Sequence, residues 1–111
     1  TPEATAVDLV RSAKSAVGLD NVATVLAELV PLLEPGRLLK AARAIGGVPN
    51  AQRLGYLIER VAKRSLAKPL HDWFRRQSTS VVPLRPGKSA TEGVEERRWH
   101  VLVTDLIEVE T

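Results

Sequence analysis

The stretch Ala51-Gln-Arg-Leu-Gly-Tyr-Leu-Ile-Glu-Arg60 has the pattern of an amphipathic helix with a glycine in its interior. Apolar residues in and just after it recur at helical spacing and predict one buried stripe: Leu54, Leu57, Ile58 and Val61. A glycine inside a helix costs about 0.5–1 kcal/mol relative to alanine. Gly55 therefore indicates a close approach of another segment, and we expect a helix–helix crossing there, with the second or fifth helix. Arg53 is expected to pair with an acid or to cap carbonyl groups.

Capping signals predict two helices before this one. Thr1 can cap the first helix, with Pro2 at its first position. Gly18 is expected to end that helix, because glycine commonly follows a helix C-terminus. Asp20 is then expected to cap the second helix, and Pro31 bounds it, since proline has no donor for the helical ladder.

The same signals predict a third helix before the central one and a fifth after it. Pro35 suits the first position of the third helix, which the pair Gly46-Gly47 closes. The fourth helix, which contains the opening stretch, begins near Pro49. The fifth is expected to run from about Leu66 to Arg76, with Ser65 as its cap, Pro69 in its first turn, and Leu70, Trp73 and Phe74 facing inward.

After Gln77 the pattern changes from helical to β-favouring. Val81 to Leu84 is a short β-favouring run, and Arg85 to Glu96 has the glycine, proline and charge content of an exposed loop. Trp99 to Thr104 predicts a strand with Trp99, Val101 and Val103 on one face. The predicted class is α+β and predominantly helical, with about five helices followed by a small C-terminal β element packed on them.

Composition limits the number of domains and the kind of protein. With 111 residues and 44% hydrophobic content, the chain is expected to form one domain over residues 1–111. Cysteine is absent, which excludes disulfides and a nucleophilic thiol. Apolar runs are far shorter than the roughly 20 residues that span a bilayer. We therefore expect a cytoplasmic protein with no membrane contact, and a chain that begins without Met is expected to be part of a longer one.

The charge is concentrated in the second half of the chain. Between Arg53 and Lys88 there are nine Lys and Arg against two acids, which is +7, so the remainder of a chain with net charge +3 is −4. Such a basic region can attract a polyanion. The ordinary alternative is a solvated helix surface. The candidate surface for an anionic partner consists of the following residues: Arg60, Lys63, Arg64, Lys68, Arg75 and Arg76.

Three apparent catalytic patterns do not hold on inspection. Gly87-Lys88-Ser89 is like the end of a phosphate-binding loop, but Val82 stands where the first glycine is needed. His71 and Asp72 are consecutive helical residues, so they point about 100° apart and cannot form an acid–base pair. His100 is isolated beside Trp99 and is expected on a strand surface. The sequence thus predicts no catalytic, cofactor-binding or metal-binding residue, and not an enzyme.

Three segments together carry a family resemblance. The opening stretch, the N-terminal segment Thr1-Pro-Glu-Ala-Thr-Ala-Val-Asp-Leu-Val10, and the pair Pro83-Leu-Arg-Pro-Gly87 and Arg98-Trp-His-Val101 occur in one order over nearly the whole chain. In this order the chain resembles the C-terminal domain of the AbiEi family of abortive-infection, type IV antitoxins. None of these segments is a catalytic motif, so the resemblance identifies a domain better than a chemistry.

The resemblance implies a regulatory, non-enzymatic domain that counteracts a nucleotidyltransferase-type toxin. Proteins of this family join such a domain to an N-terminal winged helix-turn-helix that represses their own operon. That winged helix is absent from this chain, so operator DNA is an expected partner of the full-length protein only. The implied link to the toxin is functional and does not require stable binding.

Two other functions stay open at this point. The basic residues 53–88 can make the domain an accessory nucleic-acid-binding module, whose affinity falls as salt rises. Alternatively, the domain is structural and holds a dimer or positions an N-terminal part. Residues of the run 51–60 serve packing in the first instance, and contact with a toxin, a nucleic acid or a second domain is the alternative.

Overall fold

The computed structural model of the chain describes residues 1–13, 16–85 and 93–103. The helices are α1 (Pro2–Arg11), α2 (Ala16–Leu29), α3 (Pro35–Ala41), α4 (Gly47–Val61) and α5 (Arg64–Phe74). The strands are β1 (Val82–Pro83), β2 (Val94–Glu96) and β3 (Val101–Val103). The α+β, predominantly helical class is confirmed.

Helix α1 begins where the sequence predicts, but it ends earlier than predicted. The Thr1 hydroxyl accepts a hydrogen bond from the Ala4 N–H at 3.0 Å, and Pro2 is the first helical residue. The helix ends at Arg11, and Gly18 and Asp20 lie inside α2, so their predicted roles as helix end and cap are wrong. An interior glycine costs only about 1 kcal/mol. The buried stripe of α2 outweighs that cost: Leu19, Val22, Ala23 and Leu26.

A buried carboxylate connects α1 to the start of α3. Glu3 is 2% exposed and accepts a hydrogen bond from the Glu34 N–H at 2.9 Å. The Glu34 carboxylate in turn caps α3, accepting from the Gly36 and Arg37 N–H groups at 3.1 and 2.8 Å. These hydrogen bonds hold the pKa of Glu34 below its ordinary value. Pro35 follows at the first position of α3, as predicted.

Helices α3 and α4 are joined without a loop, which lowers the expected helix count. A π-helical segment, Ala42–Gly46, leads directly into α4. The chain turns at Gly47, where φ is 72°, a value that favours glycine. The Asn50 side chain donates to the Gly46 carbonyl at 2.7 Å and satisfies the end of the π-helical segment. The described residues therefore form four continuous helical runs, instead of about five separate helices.

Helix α5 starts earlier than predicted. Its first residue is Arg64, and Lys63 precedes it without a capping side chain, so Ser65 is not the cap. Pro69 consequently lies in the helix interior, not in the first turn. Burial of one continuous face compensates for the missing proline donor: Leu66, Ala67, Leu70 and Phe74.

The three strands form one small sheet in the order β1-β3-β2. Strand β1 is parallel to β3, with Val82 opposite Val101, and β2 is antiparallel to β3, with Glu95 opposite Leu102. The parallel pair is possible because the intervening chain passes through β2 before it returns in β3.

Two predictions about this region need correction. Residues 94–96 of the predicted exposed loop form β2, and Trp99 and His100 lie in a turn instead of a strand. The Glu96 carboxylate stabilises this turn, because it accepts hydrogen bonds from the Arg98 and Trp99 N–H groups, each at 2.8 Å. That turn brings β3 back beside β2. Gly87-Lys88-Ser89 and Thr104 lie outside the described residues.

The core gathers apolar side chains from all five helices and from the C-terminal β element. Leu54, Leu57 and Ile58 are fully buried, as predicted, and Val61 is partly buried. Elsewhere in the same core, Leu26 and Phe74 are buried, whereas Leu29 and Trp73, which was expected to face inward, are only partly buried. No helix in the described ranges has the length and apolar character to cross a membrane.

Truncation of Leu57 to Ala is expected to lower the free energy of unfolding by about 2–5 kcal/mol, because the side chain is fully buried and leaves a cavity. Urea unfolding followed by circular dichroism measures the change. Leu32→Ala is the matched control: Leu32 is 64% exposed, so the same truncation there should cost less than about 0.5 kcal/mol. Equal costs at the two positions would contradict the packing described.

Candidate anion-binding surface

The contact between Gly55 and Trp99 positions the surface where the basic residues lie. Trp99 is 1% exposed, and a Cβ atom built on Gly55 would lie 2.3 Å from its ring carbons. No real side chain tolerates that distance, so α4 needs glycine at this point. The expected helix–helix crossing at Gly55 is therefore wrong. The close neighbour is an indole ring from the turn that precedes β3.

Helix α5 covers the same indole ring. The rings of Trp99 and Phe74 are stacked with centroids 5.3 Å apart, and His71 meets Trp99 edge-on at 4.8 Å. Offset stacked and edge-to-face arrangements of this kind are the favoured ones for aromatic pairs. Trp99 thus joins α4, α5 and the C-terminal β element.

Glu59 of α4 binds Trp99 and the residue before it, Arg98. Its carboxylate accepts hydrogen bonds from Nε of Arg98 at 2.8 and 2.9 Å and from the indole N–H of Trp99 at 2.9 Å. Burial acts to raise the pKa of Glu59, but these hydrogen bonds and the charges of Arg98 and Arg64 act in the opposite direction. The pKa consequently lies below its ordinary value of 4.5.

Two polar side chains of α4 fasten the backbone next to the ring. The Gln52 amide, which is 1% exposed, donates to the carbonyls of Ser80, Trp99 and His100 at 3.0, 3.0 and 3.1 Å. Arg53 donates from Nε to the Pro83 carbonyl at 2.8 Å, which confirms the predicted carbonyl contact. The turn and β1 are therefore fixed to α4 by hydrogen bonds as well as by packing.

All six predicted surface residues are exposed, but the structure groups only half of them. Arg64, Lys68 and Arg75 line one open depression of about 450 Å³ together with Arg98. The remaining three, Arg60, Lys63 and Arg76, do not line it. The spacing of Arg60, Lys63 and Arg64 in the sequence predicts that they share one face of the fourth helix. That prediction is wrong, because α4 ends at Val61 and the chain is extended at Ala62.

A second depression of about 470 Å³ adjoins the first and shares His71, Arg75 and Arg98 with it. It adds Arg97 to the basic lining, beside polar and aromatic groups: Phe74, Gln77, Thr79 and His100. Arg97 and Arg98 were not among the predicted site residues, because the run Glu95-Glu96-Arg97-Arg98 has the appearance of solvated charge. Arg97 and Arg98 directly precede Trp99, a large residue that needs burial. That position in the sequence is the signal that could have identified them.

The histidines and acids of this region have separate partners. His71 donates from Nε2 to the Arg98 carbonyl at 3.0 Å, whereas Asp72 pairs with Lys68 at 2.8 Å. His100 has a φ of 52° and lies 3.0 Å from the Thr79 hydroxyl, so its predicted place on a strand surface is wrong. In the parts of the chain that the structure describes, no three His, Asp or Glu side chains cluster as metal ligands. Charge attraction is the chemistry that this surface offers.

Comparison with known proteins gives one match. The family model described as the AbiEi antitoxin C-terminal domain matches residues 1–60, from the cap of α1 to the last turn of α4. The matched range includes Gly55 and Glu59, and their partners Arg98 and Trp99 lie beyond it. No curated protein and no solved structure matches the chain.

Replacing Gly55 with Ala should lower the free energy of unfolding by about 1–3 kcal/mol or more, because the added methyl group overpacks against Trp99. In a Trp99→Leu background the cost should shrink. Urea unfolding of the four variants of this cycle measures the coupling. Gly36→Ala is the control: Gly36 is exposed, and its nearest heavy atoms belong to the Glu34 side chain, the closest at 3.3 Å. A cost for Gly55→Ala that does not depend on Trp99 would contradict the contact.

Replacing Glu59 with Gln should lower the free energy of unfolding by about 1–3 kcal/mol near neutral pH, through weakened hydrogen bonds to Arg98 and Trp99. A carboxyl whose pKa is lowered by folding stabilises the fold above its unfolded pKa and loses that contribution as pH falls through the folded pKa. The difference between wild type and Glu59→Gln should therefore shrink as pH falls below about 4.5.

The measurement is urea unfolding at a series of pH values. Glu95→Gln removes the same charge from an exposed position of β2 and should change the free energy of unfolding little at any pH. A Glu59→Gln effect that stays constant through the acid range would mean that the charge on Glu59 does not stabilise the fold.

Proposed function

The chain belongs to the AbiEi antitoxin C-terminal domain family, and from that membership we propose that it counteracts a nucleotidyltransferase-type toxin in a type IV toxin–antitoxin system. The observation that carries the proposal is the family match over residues 1–60, which takes in α1 to α4 almost entirely. The matched helices contain much of the buried core. The similarity therefore concerns the body of the domain, and not an isolated motif.

The proposed role is regulatory and non-enzymatic. Antitoxin domains of this kind act on the outcome of a toxin's activity without chemistry of their own. The engagement of His71 with a backbone carbonyl and of Asp72 with Lys68 supports this role, because both groups serve packing and charge pairing.

We further propose that the full-length protein joins this domain to a DNA-binding domain that represses its own operon, and that it acts in the cytoplasm. Both follow from the family, whose regulators control the genes of the toxin and antitoxin together. The described residues would then act as one unit, because Trp99 and α5 pack directly on the matched helices.

An accessory nucleic-acid-binding role is the second candidate. It rests on the exposure of the six predicted basic residues and on the grouping of Arg64, Lys68 and Arg75 beside Arg98. Contacts of Lys and Arg with phosphates bind DNA regardless of its sequence and position a protein on it. In the full-length protein they would add to operator affinity.

The antitoxin role is tested by growth rescue. A nucleotidyltransferase-like toxin gene, sought next to the gene for this protein, is induced in bacteria together with the full-length protein, and growth is measured. We expect the wild-type protein to relieve the arrest and the core variant Leu54→Ala/Leu57→Ala to fail, because two cavities in the buried stripe unfold the domain. Arrest that persists in the presence of abundant, soluble wild-type protein would contradict the proposal.

The second candidate is tested by operator affinity of the full-length protein at several salt concentrations. Arg75→Glu/Arg76→Glu should weaken binding and flatten its salt dependence if the surface contacts phosphates. Arg37→Glu/Lys40→Glu on α3 makes the same charge change at exposed positions elsewhere and is the control. Equal effects of the two double variants would mean that only net charge matters.

A further inference from the structure

The two adjoining depressions form one basic groove between α5 and the turn at residues 97–100. Both are lined by His71, Arg75 and Arg98, so the groove has a common centre and two ends. Arg64 and Lys68 lie at one end, and Arg97 lies at the other. We refer to this feature as the α5 groove.

The charge of the α5 groove is strongly positive. Its lining contains five Lys and Arg against one acid, Asp72, which is paired with Lys68 at 2.8 Å. Within the described ranges, Arg64, Arg75 and Arg97 make no ion pair with an acid. Repulsion among neighbouring positive charges of this kind is relieved when an anion binds between them.

The central arginine is held in place before any ligand arrives. Arg98 contacts Glu59 through Nε alone, so that pair does not use the two terminal nitrogens of its guanidinium. The backbone N–H of Arg98 donates to the Glu96 carboxylate at 2.8 Å, and its backbone carbonyl accepts from Nε2 of His71 at 3.0 Å. A side chain ordered in advance loses less entropy on binding, which favours affinity.

We infer that the α5 groove binds consecutive phosphate groups, with one phosphate at each end and Arg75 and Arg98 between them. Guanidinium groups match phosphate oxygens with paired hydrogen bonds, which a flexible ammonium group does not. Two adjoining basic depressions with shared residues suit a ligand that carries several negative groups a short distance apart. Phosphoanhydrides and phosphodiesters have that property.

Two sources supply this chemistry: the triphosphate of a free nucleotide, and the backbone of a nucleic-acid strand. The polar side chains at the Arg97 end, Gln77 and Thr79, offer hydrogen bonds to the sugar or base of either. The inference goes beyond the antitoxin role and does not depend on it, because binding is measured with no toxin present.

The test is calorimetric titration of the full chain with four probes: inorganic phosphate, tripolyphosphate, ATP and a short single-stranded uridine oligomer. A polyglutamate peptide is the polyanion without phosphate. We expect tripolyphosphate to bind at least roughly tenfold more tightly than inorganic phosphate, since its repeated charge meets several cations of the groove at once. Equal affinity for polyglutamate, or no gain from inorganic phosphate to tripolyphosphate, overturns the inference.

Matched variants locate the binding. Arg75→Gln should weaken tripolyphosphate binding by roughly tenfold or more, as expected for a lost charge-assisted hydrogen bond. Arg37→Gln removes an exposed arginine of α3, outside the groove, and should leave affinity unchanged. Arg64→Gln and Arg97→Gln, one at each end of the groove, should also weaken tripolyphosphate binding. If Arg75→Gln and Arg37→Gln behave alike, the inference is wrong.

The remaining probes separate the two sources. If ATP binds as tightly as tripolyphosphate with a modest salt dependence, the ligand is a free nucleotide. If the oligomer binds more tightly than both ATP and tripolyphosphate, with an affinity that falls steeply with salt, the ligand is a strand. Growth rescue is a separate readout, so failure of the groove and failure of the antitoxin role are distinguishable.

Discussion

The contact of the Trp99 ring with the bare backbone of Gly55 determines how the second half of this chain meets the first. It places an indole ring against α4 at a point where a single methyl group would collide with it. Around that contact, Glu59 accepts from the indole N–H, and Phe74 and His71 of α5 cover the ring. Because the glycine, the acid and the ring are complementary, each has little freedom to change alone.

The same contact explains why the basic groove exists. Arg97 and Arg98 directly precede Trp99, so burial of the ring fixes them beside the exposed face of α5. Arg64 and Lys68 lie on α5 and Arg75 directly follows it, whereas Arg97 and Arg98 come from a turn more than twenty residues later in the chain. A basic surface built in this way depends on the packing of the core, and its shape changes if the packing changes.

Local sequence signals predicted the helix starts at Thr1 and Pro35 and the buried stripe of α4, because capping and periodicity act within a few residues. They failed where a distant residue decides the outcome. The neighbour of Gly55 is far along the chain, and the turn at residues 97–100 depends on the Glu96 carboxylate. The candidate surface shows the same division: three of its six residues converge, and the arginines that complete the groove lie in what looks like solvated charge.

The most direct test of this account is proton NMR of the indole group of Trp99. We predict strong nuclear Overhauser contacts between its ring protons and the Gly55 α-protons, and slow solvent exchange of its N–H, which donates to Glu59 at 2.9 Å. A Trp99 ring without contacts to Gly55, with an N–H that exchanges at the rate of an exposed indole, would contradict the central claim that this ring joins the C-terminal β element to α4.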